Sequence, residues 1–307
     1  MTTKERKNVY QIITDRMVDE LKNGNVPWHK PWNASEGGAP MNVITKKAYR
    51  GVNVFLLISN GFEHNLYATY KQFAGVGAEV RKGEKGTPIV FWNWVYDCPT
   101  CGKLKQQQVE RGHCKACGAE VDGIPYLRYY TVFNIAQVDG LPAKYQPKKV
   151  ETKKHNPIKA AEEIVAKYTD APEVEHQGGR ACYSPMQDLI TMPRAETFDN
   201  EEEYYSTLFH EFAHSTGHES RLKRDLEGWF ESEDYSKEEL VAEMAAAFLS
   251  AESGIESKTL DNSAAYIRGW CEKLQSNPKW IVFAAAQGQK AAHHINKPSK
   301  KASKKAA

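Results

Sequence analysis

His210-Glu211-Phe212-Ala213-His214 reads H-E-x-x-H inside a stretch of helical pattern. Histidines at i and i+4 project from one helical face, about one turn apart, and can grip one Zn²⁺. The glutamate beside the first histidine stands where a general base for water activation is needed. The stretch therefore points to a zinc hydrolase of the metallopeptidase type, with His210 and His214 as ligands and Glu211 as base. Its surroundings support a helix from about residue 200 to 216. Leu189-Ile190-Thr191-Met192 predicts a strand before it, ended by Pro193 and placed to be the edge that a bound peptide would extend. Asp199 is the expected N-cap with Glu202 three residues on, and Gly217 the expected left-handed C-cap.

Zinc catalysis needs a third protein ligand and an open position. Metzincin spacing would put that ligand at position 220, which is Ser220. His218 is near, but the turn at Gly217 does not oblige it to face the metal. Glu239 and Glu243 fall on one face of the next expected helix, residues 237–251. They resemble the gluzincin arrangement, in which one acid binds the metal and the acid four residues later orients a ligand histidine. Ser236-Lys237-Glu238-Glu239 also reads as a capping box, which would give Glu239 to its helix end. The acid-x3-acid analogy favours Glu239 as ligand over Glu243. Zn²⁺ is the expected ion, with Mn²⁺ or another divalent ion also suited. Tyr235, Arg221 and His218 are candidate donors to a developing oxyanion.

A second cluster is spaced C-x2-C, twelve residues, C-x2-C: Cys98, Cys101, Cys114 and Cys117. Each pair forms a tight knuckle, favoured by the following Gly102 and Gly118, and two knuckles close a four-sulfur site suited to a structural Zn²⁺. This zinc ribbon, residues 98–117, interrupts two strands expected at 88–97 and 126–133. His113 reads as a bystander, and Cys182 and Cys271 as core residues.

Net charge is +2, but it is unevenly spread. Residues 1–150 carry 21 Lys and Arg against 13 Asp and Glu, residues 151–295 carry 15 against 26, and residues 296–307 add five lysines and no acid. A basic first half suits a polyanion; the acidic second half does not. No apolar run approaches the roughly 18 residues of a membrane span. The first residues lack the apolar core of a secretory signal. A cytoplasmic protein with no membrane partner is expected.

Trp28, Trp32, Tyr49, Trp92, Trp94, Tyr96, Tyr126, Tyr129 and Tyr130 are interleaved with Lys30, Lys46, Lys47, Arg50, Arg81, Lys82, Lys85 and Arg128. Cations that track phosphates and aromatic faces that stack on bases are how single-stranded nucleic acid is held. Trp28, Lys30, Trp32, Tyr49, Arg50, Arg81, Lys82 and Lys85 are the candidate DNA contacts. About half of the aromatic residues should instead be core.

Val26 to Asn33, Tyr49 to Asn53, Val80 to Val90 and Tyr130 to Asn134 resemble the N-terminal domain of ArdC-type antirestriction proteins. His210 to His214, Gly217-His218, Arg221-Leu222 and Glu238 to Glu243 resemble their zincin-like domain. The resemblance implies a single-stranded DNA-binding domain followed by a metallopeptidase fold. It implies carriage on a conjugative plasmid or phage and protection of incoming DNA from host restriction, with a host restriction-modification complex as a further partner. Plasmid primase accessory proteins are similar in the first domain, so a non-enzymatic DNA-processing role is an alternative. A DNA-dependent zinc protease acting on DNA-bound proteins, similar to the SprT-like repair proteases, is another.

The expected architecture is α+β in two domains. Residues 1–141 form the first domain with its ribbon insert, 142–156 a linker, 157–295 the zincin-like domain and 296–307 a basic, disordered tail. Further helices are expected at 8–23, 67–75, 157–168, 270–276 and 281–289.

Overall fold

The computed structural model describes residues 8–29, 38–147, 156–224, 233–255 and 264–297. Lys30 and Trp32, most of the expected linker and all but the start of the basic tail lie outside these residues.

Helix α1 (Val9–Lys22) opens the chain. Asn8 caps it by accepting from the Tyr10 N–H, and Ile13, Met17 and Leu21 form its buried stripe. After strand β1 (Met41–Asn42) comes α2 (Val52–Ile58), a short helix buried at every residue. The helix expected at 67–75 is instead β2 (Leu66–Thr69) followed by α3 (Tyr70–Ala74). Tyr67 and Ala68 are drawn into the sheet, and Thr69 starts the helix through a capping box with Gln72. Strand β3 (Glu79–Val80) precedes the long β4 (Thr87–Cys98). The insert carries β5 (Gly102–Lys105), β6 (Val109–Glu110) and β7 (His113–Cys114). Strand β8 (Gly123–Asn134) then returns along β4, and β9 (Val138–Asp139) pairs with β3. The five-stranded sheet runs β1-β2-β8-β4-β5, with β4 and β8 as a long antiparallel ribbon.

The second half begins with α4 (Pro157–Lys167), which has proline in its first turn. Strands β10 (Glu173–His176), β11 (Cys182–Ser184) and β12 (Leu189–Met192) form a small sheet in the order β10-β12-β11. Thus β12 is the central strand, with a neighbour on each side, and cannot be extended by a peptide as its sequence suggested. Four helices follow: α5 (Glu201–Ser215), α6 (Glu233–Ser253), α7 (Ala264–Ser276) and α8 (Trp280–Ile295).

Helix α6 is the hub. It is buried on nearly all sides, packed by α5, α8 and α4, and rich in alanine where those helices approach. A side chain on Gly288 of α8 would start 3.0 Å from the Ala245 N and the Val241 O of α6, so the two backbones meet at a glycine.

The α+β class is as the sequence predicts, but the main core does not divide at the expected linker. Ile13, Met17, Leu21, Trp28 and Phe55 belong to the same apolar cluster as Phe212, Leu240, Met244, Phe248 and Ile281. Helix α1 lies against α7, and Phe55 packs on Phe248 with ring centroids 5.0 Å apart.

Replacing Gly288 by valine should destabilise the protein by about 1–3 kcal/mol through overpacking. Calorimetric melting tests this; an unchanged melting temperature would refute the close α6–α8 contact.

Candidate functional site

Helix α5 presents the first three residues of the site. Its N-cap is Asn200, whose side chain accepts from the Glu203 N–H, so the cap lies one residue beyond the expected Asp199. Acids fill the first turn, where the helix dipole favours them. Gly217 does not take the left-handed conformation expected of it, since its φ is not positive. The helix ends through the bonds of Gly217 N to His214 O and of His218 N to Ser215 O.

His210 and His214 meet at the ligand end of their rings. Their Nε2 atoms are 3.1 Å apart and their rings nearly perpendicular. Glu239 of α6 closes the group, with one carboxylate oxygen 3.0 Å from His210 Nε2 and the other 3.7 Å from His214 Nε2. Two imidazole nitrogens and a carboxylate oxygen within 4.8 Å of one another are a donor set that fits a divalent metal ion. Helix α6 starts at Glu233, so Ser236 lies inside it and the capping-box reading of Glu239 does not hold.

Glu243 does not join this group. Its buried carboxylate accepts from Trp28 Nε1 at 2.7 Å and from the Tyr266 hydroxyl, with His29 Nε2 3.8 Å away. The buried Nδ1 of His210 has no hydrogen-bond partner, so Glu243 does not orient that histidine as the analogy suggested. The orienting acid is Glu238, which sequence reading missed. It lies 3.4 Å from His214 Nδ1 and is gripped by Arg224 through two bonds, at 2.7 and 2.9 Å. Burial opposes its charge, but Arg224 and His214 outweigh that and hold its pKa below the ordinary value. Arg224 also donates to Ala213 O and Thr216 Oγ1, which ties the end of α5 to α6.

Burial likewise works against a charged His210. The Glu239 hydrogen bond, with the charges of Glu239, Glu211 and Glu243, overcomes it and raises His210 from 6.5 to about 9. Glu211 is buried beside it on α5.

The other donors proposed from sequence are occupied elsewhere. Arg221 bonds Asp188 and donates to Ser215 O at 2.7 Å. His218 pairs with Ser220 at 2.8 Å, with Asp188 4.0 Å away. The Tyr235 side chain lies outside the described residues.

The four cysteines also converge. Cys98, Cys101, Cys114 and Cys117 bring their sulfurs within 4.8 Å of one another, none in a disulfide. Gly102 and Gly118 have φ of +73° and +74°, as the knuckle turns require. The insert has a small core of its own, chiefly Leu104, Val121 and the two buried cysteines, too small to hold without a cross-link. Cys117 falls to about 6, mainly through the Ala119 backbone N–H, while Cys101 rises to about 12 beside Cys117. His113 stands apart from the group, bonded to Arg111 O. Cys271 is buried as expected; Cys182 is exposed, contrary to expectation.

The candidate DNA contacts divide. Trp28 is 1 % exposed and Tyr49 6 % exposed, so neither presents a face to a base. Arg50, Lys82 and Lys85 are exposed. Arg81 is exposed but engaged, paired with Glu84 and Asp139 and bonded to Ala136 O. The aromatic residues left at the surface sit mainly on the ribbon. Opposed residues of an antiparallel pair share a face, so Ile89/Tyr130, Phe91/Arg128 and Asn93/Tyr126 line one side. On it Phe91, Tyr126 and Tyr130 are 40–44 % exposed, Phe91 lies edge-on to Tyr130, and Arg128 lies over Tyr126. Phe91 was not among the candidates, because strand burial cannot be read without the pairing. The register also sets the loop of Lys82 and Lys85 beside the Tyr130 end, since Thr87 pairs with Val132.

Residues 7–133 match the N-terminal domain of anti-restriction factor ArdC, and residues 159–287 match a zincin-like metallopeptidase. The crystal structure of the antirestriction ArdC protein from plasmid R388, in its metal-free form, superposes with a TM-score of 0.70. It is 33 % identical, and the match covers 94 % of this chain and 97 % of that one.

The chain belongs to the ArdC antirestriction family.

The Mn(II)-bound structure of the R388 protein superposes equally well, with a TM-score of 0.71 and 34 % identity. An uncharacterized protein of Sinorhizobium fredii, y4eC, is 32 % identical over 292 residues, spanning 93 % of this chain and 90 % of that protein. A DNA primase TraC of Escherichia coli is 39 % identical over 292 residues. This chain spans 20 % of that primase's length, and 27 % of a second TraC that is 36 % identical. Among the described residues no helix is long and apolar enough to cross a membrane.

Two outcomes follow from this geometry. Glu239→Ala and Cys114→Ser should each lower bound metal from two ions per chain to one, whereas Glu243→Gln should leave two. Elemental analysis after dialysis tests it, and loss of an ion from Glu243→Gln would reverse the ligand assignment. Because Glu239 and the neighbouring carboxylates favour a protonated His210, metal uptake should release a proton there. Affinity at this centre should fall as pH drops, since protons compete with the metal for the same imidazole. Titration calorimetry in buffers of different ionisation enthalpy should register proton release on metal binding; no release would refute a His210 protonated by its Glu239 contact.

Proposed function

We propose that this protein binds single-stranded DNA of a mobile element, plasmid or phage, and protects it from host restriction in the cytoplasm. The exposed row of Phe91, Tyr126 and Tyr130 with Arg128, next to the basic loop of Lys82 and Lys85, carries this reading. Water-exposed aromatic rings on a rigid ribbon are stacking surfaces, and cations beside them track phosphates. The DNA-binding unit is residues 1–141 in this reading, and 157–295 the metal-dependent, peptidase-like unit. The four-cysteine cluster takes a structural Zn²⁺ that braces the ribbon tip.

His210, His214 and Glu239 would hold the second ion, Zn²⁺ or Mn²⁺, the latter being the ion in the Mn(II)-bound structure of the R388 relative. Such an ion, when bound, supplies Lewis acidity toward water and a carbonyl oxygen. The Glu211 carboxylate is the base available to take a proton from water. Glu238, fixed by Arg224, holds His214 in its orientation. The presence of Glu211 beside the ligand pair favours a second reading, a DNA-dependent protease that acts on DNA-bound proteins, a host restriction complex among them. A site that served structure alone would have no use for that base.

Full-length protein should bind an oligothymidylate more tightly than the matching duplex, with steep salt dependence. Phe91→Ala with Tyr130→Ala should weaken single-strand binding about tenfold or more while the salt slope stays the same, because stacking and not charge is lost. Equal affinity for both DNA forms would count against the reading. Glu211→Gln should leave DNA binding intact; its effect on protection of transferred DNA separates the two readings, since undiminished protection excludes proteolysis as the means.

A further inference from the structure

Where the turn into α2 meets α8, a cleft of about 250 Å³ opens between the two halves. Its floor is rigid. Buried Asn53 donates to Val90 O at 2.8 Å and accepts from Val90 N at 2.7 Å, which fixes α2 to β4. Gln289 of α8 accepts from the Gly51 N–H at 2.8 Å, which fixes the other wall. Trp92 forms one side, 41 % exposed, with its ring centroid 6.0 Å from that of Phe283. Arg50, Lys290 and His293 line the cleft and are exposed. None of its lining residues is acidic, although residues 151–295, from which α8 comes, are acidic as a whole.

A rigid cleft with an indole on one side and three basic groups at its mouth suits a flat, anionic ligand. An unstacked base with its phosphate fits that description; a duplex cannot enter a cleft of this size. We infer that it takes one nucleotide of single-stranded DNA, the base against Trp92 and the phosphate held by Arg50, Lys290 and His293. This inference rests on the single-strand reading above and deepens it. Lys290 and His293 come from the zincin half, so the bound strand touches both halves at once. Trp92 and the Phe91 row lie on opposite faces of the ribbon, so the strand has a second contact surface here.

The test uses full-length protein and a fluorescein-labelled oligothymidylate of about 15 nucleotides, read by anisotropy across a salt series. Lys290→Ala with His293→Ala should weaken binding about tenfold and reduce the salt slope by about one. Both side chains are exposed, and an unchanged melting temperature verifies the fold. Trp92→Ala should weaken binding by about tenfold with the slope retained, and Lys290→Arg should behave as wild type. If wild type binds and the Lys290/His293 variant binds equally well with the same slope, the cleft is not a nucleotide site and the single-strand reading survives. If wild type does not bind at all, that reading falls and this inference falls with it.

Discussion

Helix α6 sets the terms for the rest of the molecule. It must be buried on nearly every side to hold α4, α5 and α8 together, yet it carries Glu238, Glu239 and Glu243 within two turns. An unpaired carboxylate in such a place costs several kcal/mol. Each acid therefore has its own partner. Glu238 has Arg224 and His214, Glu239 has the two motif histidines, and Glu243 has Trp28 and Tyr266. A hydrogen bond contributes about 0.5–1.5 kcal/mol or more, so the Trp28 indole helps to hold α6 from the other half of the chain.

This arrangement separates what the sequence discloses from what it hides. The H-E-x-x-H pair, the four cysteines and the long ribbon strands are local patterns, and each is where its spacing predicts. The spacing of Glu239 and Glu243 placed both on one helix face, and only the analogy to acid-x3-acid sites favoured Glu239, the one that stands beside the two histidines. The role of Glu243 was not legible, since its partner lies 215 residues away. For the same reason Trp28 read as a stacking platform beside basic residues when it is a buried donor. The central position of β12 and the burial of Tyr49 were hidden too, because strand order and inward facing depend on pairing across the chain. Where only local chemistry was at stake, as at Asn200 against Asp199, the error was one residue.

The ribbon shows how a sheet can be rigid and still display large aromatic residues. Strands β4 and β8 pair along most of their length, so the backbone holds the Phe91 row while the opposite face packs on the core through Val90 and on Phe283 through Trp92. Gly123 makes room on one face: a Cβ there would come within 2.7 Å of the Tyr96 ring and 2.8 Å of the Trp94 ring. Gly86 does the same at the other end, where a side chain would collide with Thr131 and the Val132 carbonyl. Both glycines mark places where the surface was shaped by what could be left out.

The shared core has a bearing on how such proteins are inherited. Cutting the chain near residue 141 would bare Phe55, Trp28 and the inner stripe of α1 on one piece and their α6 and α7 counterparts on the other. Neither fragment would keep a complete interior. A gene rearrangement that moved one half alone would deliver a sticky, unstable product, whereas one that moved the pair would deliver a working unit. The match to the much longer primases runs across 93 % of this chain and both of its halves. The matched stretch of those primases thus holds both halves together, as the apolar seam between them requires.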